Sequence, residues 1–301
     1  MQNVNSSETG QFNHIPVLAN EIVNCVDSID ESILKNSYIL DLTLGGAGHA
    51  DILLREFSEI KLIGIDQDIE AICASKKKLS EFGSRVEIYH KNFDEFEVER
   101  VFSFILADLG VSSHQIDSPS RGFSFQNNAP IDMRMNKDIE TNAADLISIL
   151  SEYDLAEIIY LNGEERFSRR IAKKIKRDLR EKGPYKGTSQ LAYAIAGCYP
   201  RKFRFGRIHP ATKTFQALRI AVNDELKKLD NILCKIPSWL VLQGRVAFIS
   251  FHSLEDRRVK RSFISNNQLR VITKKPLIAT SQETENNPRS RSAKLRIAEK
   301  I

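Results

Sequence analysis

Apolar and polar positions follow two rhythms along this chain. Between Tyr38 and Gly110, short apolar runs are separated by stretches with helical spacing. Tyr38–Asp41 predicts a strand, and Ala50–Phe57 continues a helix out of the turn that follows. Lys61–Asp66 predicts a second strand, Ile69–Phe82 a helix closed by Gly83, and Arg85–Tyr89 a third strand. Val101–Gly110 is almost continuously apolar, as a parallel strand covered on both faces should be. Gly244–His252 repeats that pattern as a fifth strand, followed by a helix over residues 254–264. Strand–helix alternation of this kind predicts an α/β fold with a doubly wound parallel sheet. Upstream, Val17, Leu18, Ile22 and Val26 share one helical face. In the tail, two strand-like segments flank a polar stretch, Thr280–Arg291, which reads as a mobile loop.

From Ser112 the rhythm changes. Residues 111–136 are rich in Ser, Pro, Gly and Asn and too long for an ordinary βα connection. The interleaved Phe123, Phe125, Met133 and Met135 favour an ordered, functional loop. Helical spacing then covers 143–161, 164–180, 189–198 and 211–232. In the second of these Phe167, Ile171, Ile175 and Leu179 form the apolar face, while Arg166, Arg169, Arg170, Lys173, Lys174 and Arg177 line another. The organisation expected is a discontinuous sheet domain, residues 1–115 and 216–301, interrupted by an all-helical insert, residues 116–215.

In open parallel sheets, ligands bind at the carboxyl ends of the strands. That places Asp41, Asp66, Asn92, Phe93 and Asp108 on one rim. The first strand runs into Gly45, Gly46 and Gly48, a turn that exposes backbone N–H groups and admits a ligand close to the chain. An acidic residue about 20 positions further on suits ribose hydroxyls, and Asp66 occupies that place. Together these features predict a nucleoside-containing cofactor. The glycines lack the dinucleotide spacing, so S-adenosylmethionine fits better than a nicotinamide. Asp66 has a second reading, as the cap of the following helix. Asp108 is the candidate for chemistry: a carboxylate beside the cofactor crevice can accept a hydrogen bond from an exocyclic amine and take its proton as methyl transfer proceeds. Holding the cofactor, or capping a turn, is the competing role.

Charge sharpens the picture. The net charge is +5, but residues 164–220 hold 16 Lys and Arg against 4 Asp and Glu, leaving −7 for the rest. A local excess of +12, with Tyr199, Phe203 and Phe205 interleaved in the basic loop 199–209, is the pattern for RNA phosphates and stacked bases. An ordinary solvated face is the alternative. The polar N-terminus has no signal-peptide pattern, and no apolar run is long enough to span a bilayer, so a cytoplasmic protein without membrane association is expected. Cys25, Cys73, Cys198 and Cys234 are scattered, and His49, His114 and His252 lack metal spacing, so no metal is expected.

Several stretches then coincide with one family. HIPVLANEIV, DLTLGGAGHA, IGIDQDIEAI, LADLGVSSHQID, RGFSFQNNAPIDMRM, GEERFSRRIAKKI, HPATKTFQALRIAVNDEL, FISFHSLEDRRVK and NPRSRSAKLR cover most of residues 14–296. They resemble the RsmH (MraW) family of bacterial 16S rRNA cytosine-N4 methyltransferases. The resemblance implies a class I S-adenosylmethionine-dependent methyltransferase (Rossmann-like) sheet domain with a helical insert. It implies methylation of N4 of one cytidine in the decoding centre of 16S rRNA, with the small ribosomal subunit as partner; a homodimer is compatible with it. Cofactor contacts carry over to Ala47, Gly48, His49, Asp66, Phe93, Asp108 and Gln115. Leu42 stands where the family more often has a small residue, and Ala47 where glycine is usual, which implies an ordinary backbone angle at Ala47. A paired, stacked base hides its N4, so the target must be flipped or splayed. Phe123, Phe125 and Met133 are expected in the base pocket, with Phe123→Ala lowering turnover and sparing cofactor binding. Arg169, Arg170, Lys173 and Arg204 are the expected RNA contacts. A DNA amino-methyltransferase and a non-catalytic RNA-binding assembly factor are the competing readings, and a nicotinamide dehydrogenase the weakest.

Overall fold

A computed structural model describes residues 16–97 and 100–301. The polar N-terminal stretch, with His14 and Ile15 of the first family-like block, lies outside the described residues. Helices α1 (Ala19–Asp27) and α2 (Glu31–Lys35) lead into strand β1 (Tyr38–Asp41). Then follow α3 (Gly48–Glu56), β2 (Lys61–Asp66), α4 (Ile69–Lys78), β3 (Val86–His90) and β4 (Phe102–Asp108). After a helical region the chain returns through β5 (Leu240–Ser250), β6 (Leu269–Val271) and β7 (Lys294–Lys300). The seven strands are ordered β3-β2-β1-β4-β5-β7-β6. Strands β1 to β5 pair in parallel, whereas β7 runs antiparallel to β5 and β6.

Period-two alternation decides what each face covers. Ile39, Leu62, Phe104, Leu106 and Ile249 pack against α1 and α3 on one side. Leu40, Ile63, Ile105, Ala107 and Phe248 pack on the other side against residues 229–239 and 259–263. The order reverses between β1 and β4, so the switch-point crevice opens where Asp41 and Asp108 end adjacent strands.

The helical region contains α5 (Ser113–Asp117), α6 (Ala143–Ile149), α7 (Glu152–Gly163), α8 (Ser168–Lys182), α9 (Thr188–Gly197), α10 (Thr212–Asn223) and α11 (Glu225–Trp239). Its core gathers residues from Ile131 through Leu218, so its packing continues past residue 215 into α10. Two helices expected to be continuous are broken. Residues 143–161 divide at Leu150, which is extended, and Ser151 caps α7 by accepting from the Asp154 N–H. Residues 211–232 divide at Asp224, whose φ of 53° ends α10 and redirects the chain into α11. The 164–180 helix begins later than expected, after Glu164 in the left-handed region.

Helices α12 (Ser253–Ser265) and α13 (Ser281–Asn286) complete the chain. The stretch expected to be a mobile loop is an ordered strap. Thr280 caps α13, and Glu283 accepts from the Leu18 N–H at 2.7 Å. Ser290 is fully buried. Among the described residues no helix is long and apolar enough to cross a membrane.

Candidate active site

A cavity of about 540 Å³ opens at the carboxyl ends of β1, β2 and β4. Its floor is the turn after β1. Gly45 adopts φ 51°, which glycine accepts without steric cost, and its N–H donates to Asp66 Oδ2 at 2.8 Å. The other Asp66 oxygen accepts from the Asp68 N–H at 2.8 Å. Asp66 therefore pins the glycine turn from the end of β2; the helix cap is Asp68, which accepts from Glu70 N–H. Ala47 is left-handed, φ 57°, contrary to the ordinary angle expected of an alanine. The buried alanine keeps the backbone course that glycine would allow, at a strain of about 1–2 kcal/mol. Gly48 is small for a reason the sequence did not show: an added Cβ would lie 2.7 Å from Pro16 Cγ.

On the next wall, Phe93 follows β3, and Asn92 caps its turn while donating to Gln67 at 2.6 Å. Gln115 is buried, donating to Asp68 at 2.8 Å and accepting from the Ser112 N–H. Asp68 is also paired with Arg121 at 2.7 Å, both side chains being almost fully buried. Arg121 donates further to the carbonyls of Arg134 and Met135, binding the long 111–136 loop to α4. Sequence reasoning missed Arg121. A single arginine in a loop gives no signal until its carboxylate partner is seen.

Asp108 stands at the centre. Its N–H donates to Thr43 Oγ1, while its side-chain Oδ1 is buried with no hydrogen-bond partner among the described residues. Burial, then the charges of Asp41 and Glu255, push its carboxyl up to about 8. Burial likewise raises Asp41 to about 7 and Asp66 to about 6. His49 Nε2 donates to the Val17 carbonyl, leaving Nδ1 3.9 Å from Asp108 Oδ2. Burial depresses that imidazole to about 4, so it is neutral at physiological pH. Beyond Asp108 the wall carries Glu255, Arg219 and Glu225. Arg219 grips Glu225 with two 2.8 Å bonds. Burial favours a neutral Glu255, but His252, Arg219 and the Phe251 N–H outweigh it and keep its pKa low. Glu225, His252 and Glu255 offer ligand atoms within 4.8 Å of one another, a grouping across 30 residues that local spacing cannot reveal.

The family model described as MraW methylase matches residues 11–301. The chain belongs to the MraW methylase family. It is 56% identical over 294 residues to "Ribosomal RNA small subunit methyltransferase H" of Prochlorococcus marinus (strain NATL2A), covering 98% of this chain and 97% of that protein. The protein of the same name from Synechococcus sp. (strain WH7803) is 53% identical over 290 residues, covering 96% and 95%. A solved rRNA methylase from Streptococcus thermophilus aligns over 96% of this chain and 99% of its own at 10% identity, with a TM-score of 0.44.

This MraW-family chain is thus a methyltransferase of class I fold, and S-adenosylmethionine is its cofactor. The cavity fits that molecule. The glycine turn, the carboxyl groups of Asp66 and Asp108 and the aromatic face at Phe93 bring close-approach backbone, polar groups and a stacking surface into one enclosure. The unpartnered Asp108 Oδ1 marks where a ligand's polar or cationic group is wanted, because a buried lone acceptor is costly. Gly48, His49, Asp66, Phe93, Asp108 and Gln115 all line the cavity; Ala47 lies behind the wall and acts only through the backbone.

The expected substrate residues are placed differently. Phe125 packs edge-on against Phe215 and lies 4.7 Å from the His209 ring, Met133 is buried, and Phe123 packs on the same helical core. None of the three lines the cavity; the long loop reaches it instead through Val111, Ser112, Gln115 and Met135. Arg169, Arg170 and Lys173 are exposed on α8, away from the buried Ile171 and Ile175. Arg204 is turned inward, donating to the carbonyls of Tyr199 and Gly197 at the end of α9. Its neighbour Phe205 is 93% exposed, and Phe203 in the same loop is exposed as well.

Proposed function

We propose that this enzyme methylates the exocyclic N4 of one cytidine in the decoding centre of 16S rRNA, acting in the cytoplasm on the small ribosomal subunit. The observation that carries the reading is Asp108, an unpartnered carboxylate at the switch point whose pKa is raised to about 8. When bound, S-adenosylmethionine supplies an electrophilic methyl group on a sulfonium. The remaining work belongs to the chain. An aromatic amine is a poor nucleophile because its lone pair is delocalised into the ring. Asp108 fixes the amine by accepting one N–H, which aligns the nitrogen lone pair for in-line attack. As positive charge develops, the carboxylate takes the proton, and a pKa close to ambient pH suits that role. A nearby cation favours the carboxylate over the acid, so a cationic ligand brings Asp108 into its working form. The Gly45–Asp66 bond holds the turn rigid beneath the donor's site.

The names of the relatives support ribosomal RNA as acceptor, and the exposed cations of α8 suit its phosphates. The cavity has room for a nucleobase beside the donor only if that base leaves its stack. The test is nucleoside mass spectrometry on small subunits from cells lacking the protein, before and after incubation with enzyme and donor. Appearance of N4-methylcytidine supports the reading. Methyl on naked rRNA but not on subunits would remove the assembled particle, and methyl on neither would remove the reaction.

A further inference from the structure

We propose that Arg219 reads the acceptor base, donating from guanidinium Nη1 to the N3/O2 edge of the cytosine whose N4 faces Asp108. The inference rests on the N4 reaction proposed above. A cytosine presents one donor, N4–H, followed by two acceptors, N3 and O2. A pocket that selects it needs an acceptor at one end and donors beyond. Asp108 is the acceptor. In the lining of the same cavity, Arg219 supplies the donor: its Nε and Nη2 are committed to Glu225 at 2.8 Å each, and Nη1 makes no hydrogen bond among the described residues. Asp108, Arg219 and Glu255, the last in the first turn of α12, all line the same cavity, so the acceptor and the guanidinium open on one enclosure.

The guanidinium is held as a reader should be. Its bidentate pair with Glu225 fixes the plane of the fork, which a lysine ammonium would not. The side chain is about 15% exposed and lines the cavity. Helix α10, which carries it, is locked by Asn223: its Oδ1 accepts from Met135 N–H, and its Nδ2 donates to the Met133 and Arg219 carbonyls. Uracil meets this pocket with both groups reversed, a carbonyl toward Asp108 and N3–H toward Arg219. A site built to pair a polar edge rejects one with reversed polarity strongly, since both buried groups lose their partners. The same guanidinium argues against a metal ion at Glu225, His252 and Glu255: a cation already occupies both Glu225 oxygens.

The experiment compares small subunits carrying cytidine, 3-deazacytidine or 2-thiocytidine at the target, with wild-type enzyme and Arg219→Met. Both enzymes meet the same amine, so differences in its intrinsic reactivity cancel between them. Wild type should lose about 10–100-fold in kcat/KM on at least one analogue, and the variant less than about threefold. Donor affinity by calorimetry should be within about threefold of wild type, since a reader of the base leaves the donor's contacts intact. If Arg219→Met does not fold because Glu225 is left an uncompensated anion, Arg219→Met/Glu225→Gln removes both partners and serves in its place. Equal losses by both enzymes on both analogues, or no loss by wild type on either, overturn the assignment. Absence of N4-methylation on the cytidine-bearing subunit would instead sink the reaction itself, and the inference with it.

Discussion

Asp108→Asn should stabilise the donor-free protein while sharply lowering its methyl transfer. The folded chain holds this carboxyl at about 8 against an ordinary 3.8. Below pH 4 the group is protonated in both folded and unfolded states and costs nothing. As pH rises toward 8, the unfolded chain releases the proton and the folded chain keeps it, so stability is lost progressively across that window. At pH 7 the difference corresponds to on the order of 4 kcal/mol. The side chain is 27% exposed to the cavity, and the asparagine amide keeps a buried polar group. Both reduce the gain, which should be about 1–3 kcal/mol, or a rise in Tm of roughly 2–5 °C. Scanning calorimetry of both proteins without donor at pH 4.5, 6 and 7.5 tests this. The advantage of the variant should be smallest at the lowest pH, about a quarter of its value at pH 7, and grow with each step. An advantage independent of pH, or a variant less stable at pH 7.5, would refute the electrostatic account of Asp108.

Three further outcomes follow from the site. Arg121→Met leaves Asp68 as a buried anion without its partner and should cost about 3–5 kcal/mol, read as a lower urea midpoint, together with weaker donor binding through Gln115. Asp66→Asn should weaken donor binding by about 10–100-fold in calorimetry, since the carboxylate both pins Gly45 and faces the cavity; unchanged affinity would remove it from the donor's site. Replacing Arg169, Arg170 and Lys173 by glutamine should raise KM for small subunits and flatten its salt dependence by up to about three phosphate contacts, with donor affinity unchanged; an unaltered salt slope would return α8 to ordinary surface.

The sheet was legible because its strands carry a strong signal. Ile39, Leu62 and Phe104 sit in near-continuous apolar runs, and each of these runs ends at the rim where an acidic residue stands out. That rule alone brought Asp41, Asp66 and Asp108 together. Side chains with two physical uses were not legible. Phe125 and Met133 were expected in the base pocket, and the helices around Phe215 claim them for the core. Arg204 adds to a basic run in the sequence yet spends its charge on backbone carbonyls. Single-residue breaks were also hidden, because Asp224 in the left-handed region is invisible to a helical apolar pattern that continues on both sides of it. Long-range polar partners were the deepest loss. Arg121 with Asp68, and Arg219 with Glu225 beside Glu255, depend on tertiary placement; Arg219 lines the cavity, and Arg121 stands behind Gln115 through Asp68. The strap of residues 281–292 was missed because short polar helices anchored by distant bonds, such as Glu283 to Leu18 and Arg289 to Asp117, have no apolar periodicity.

The most direct test of the account is single-turnover methyl transfer to small subunits by wild type and Asp108→Asn, with donor affinity measured on the same preparations. The account predicts that the variant binds the donor and loses transfer by about 10²–10⁴-fold, the range expected for a positioned general base. It also predicts that the rise of wild-type kcat/KM toward pH 8 disappears in whatever transfer is left. Transfer within a few-fold of wild type, with the pH dependence intact, would contradict the central role assigned to Asp108.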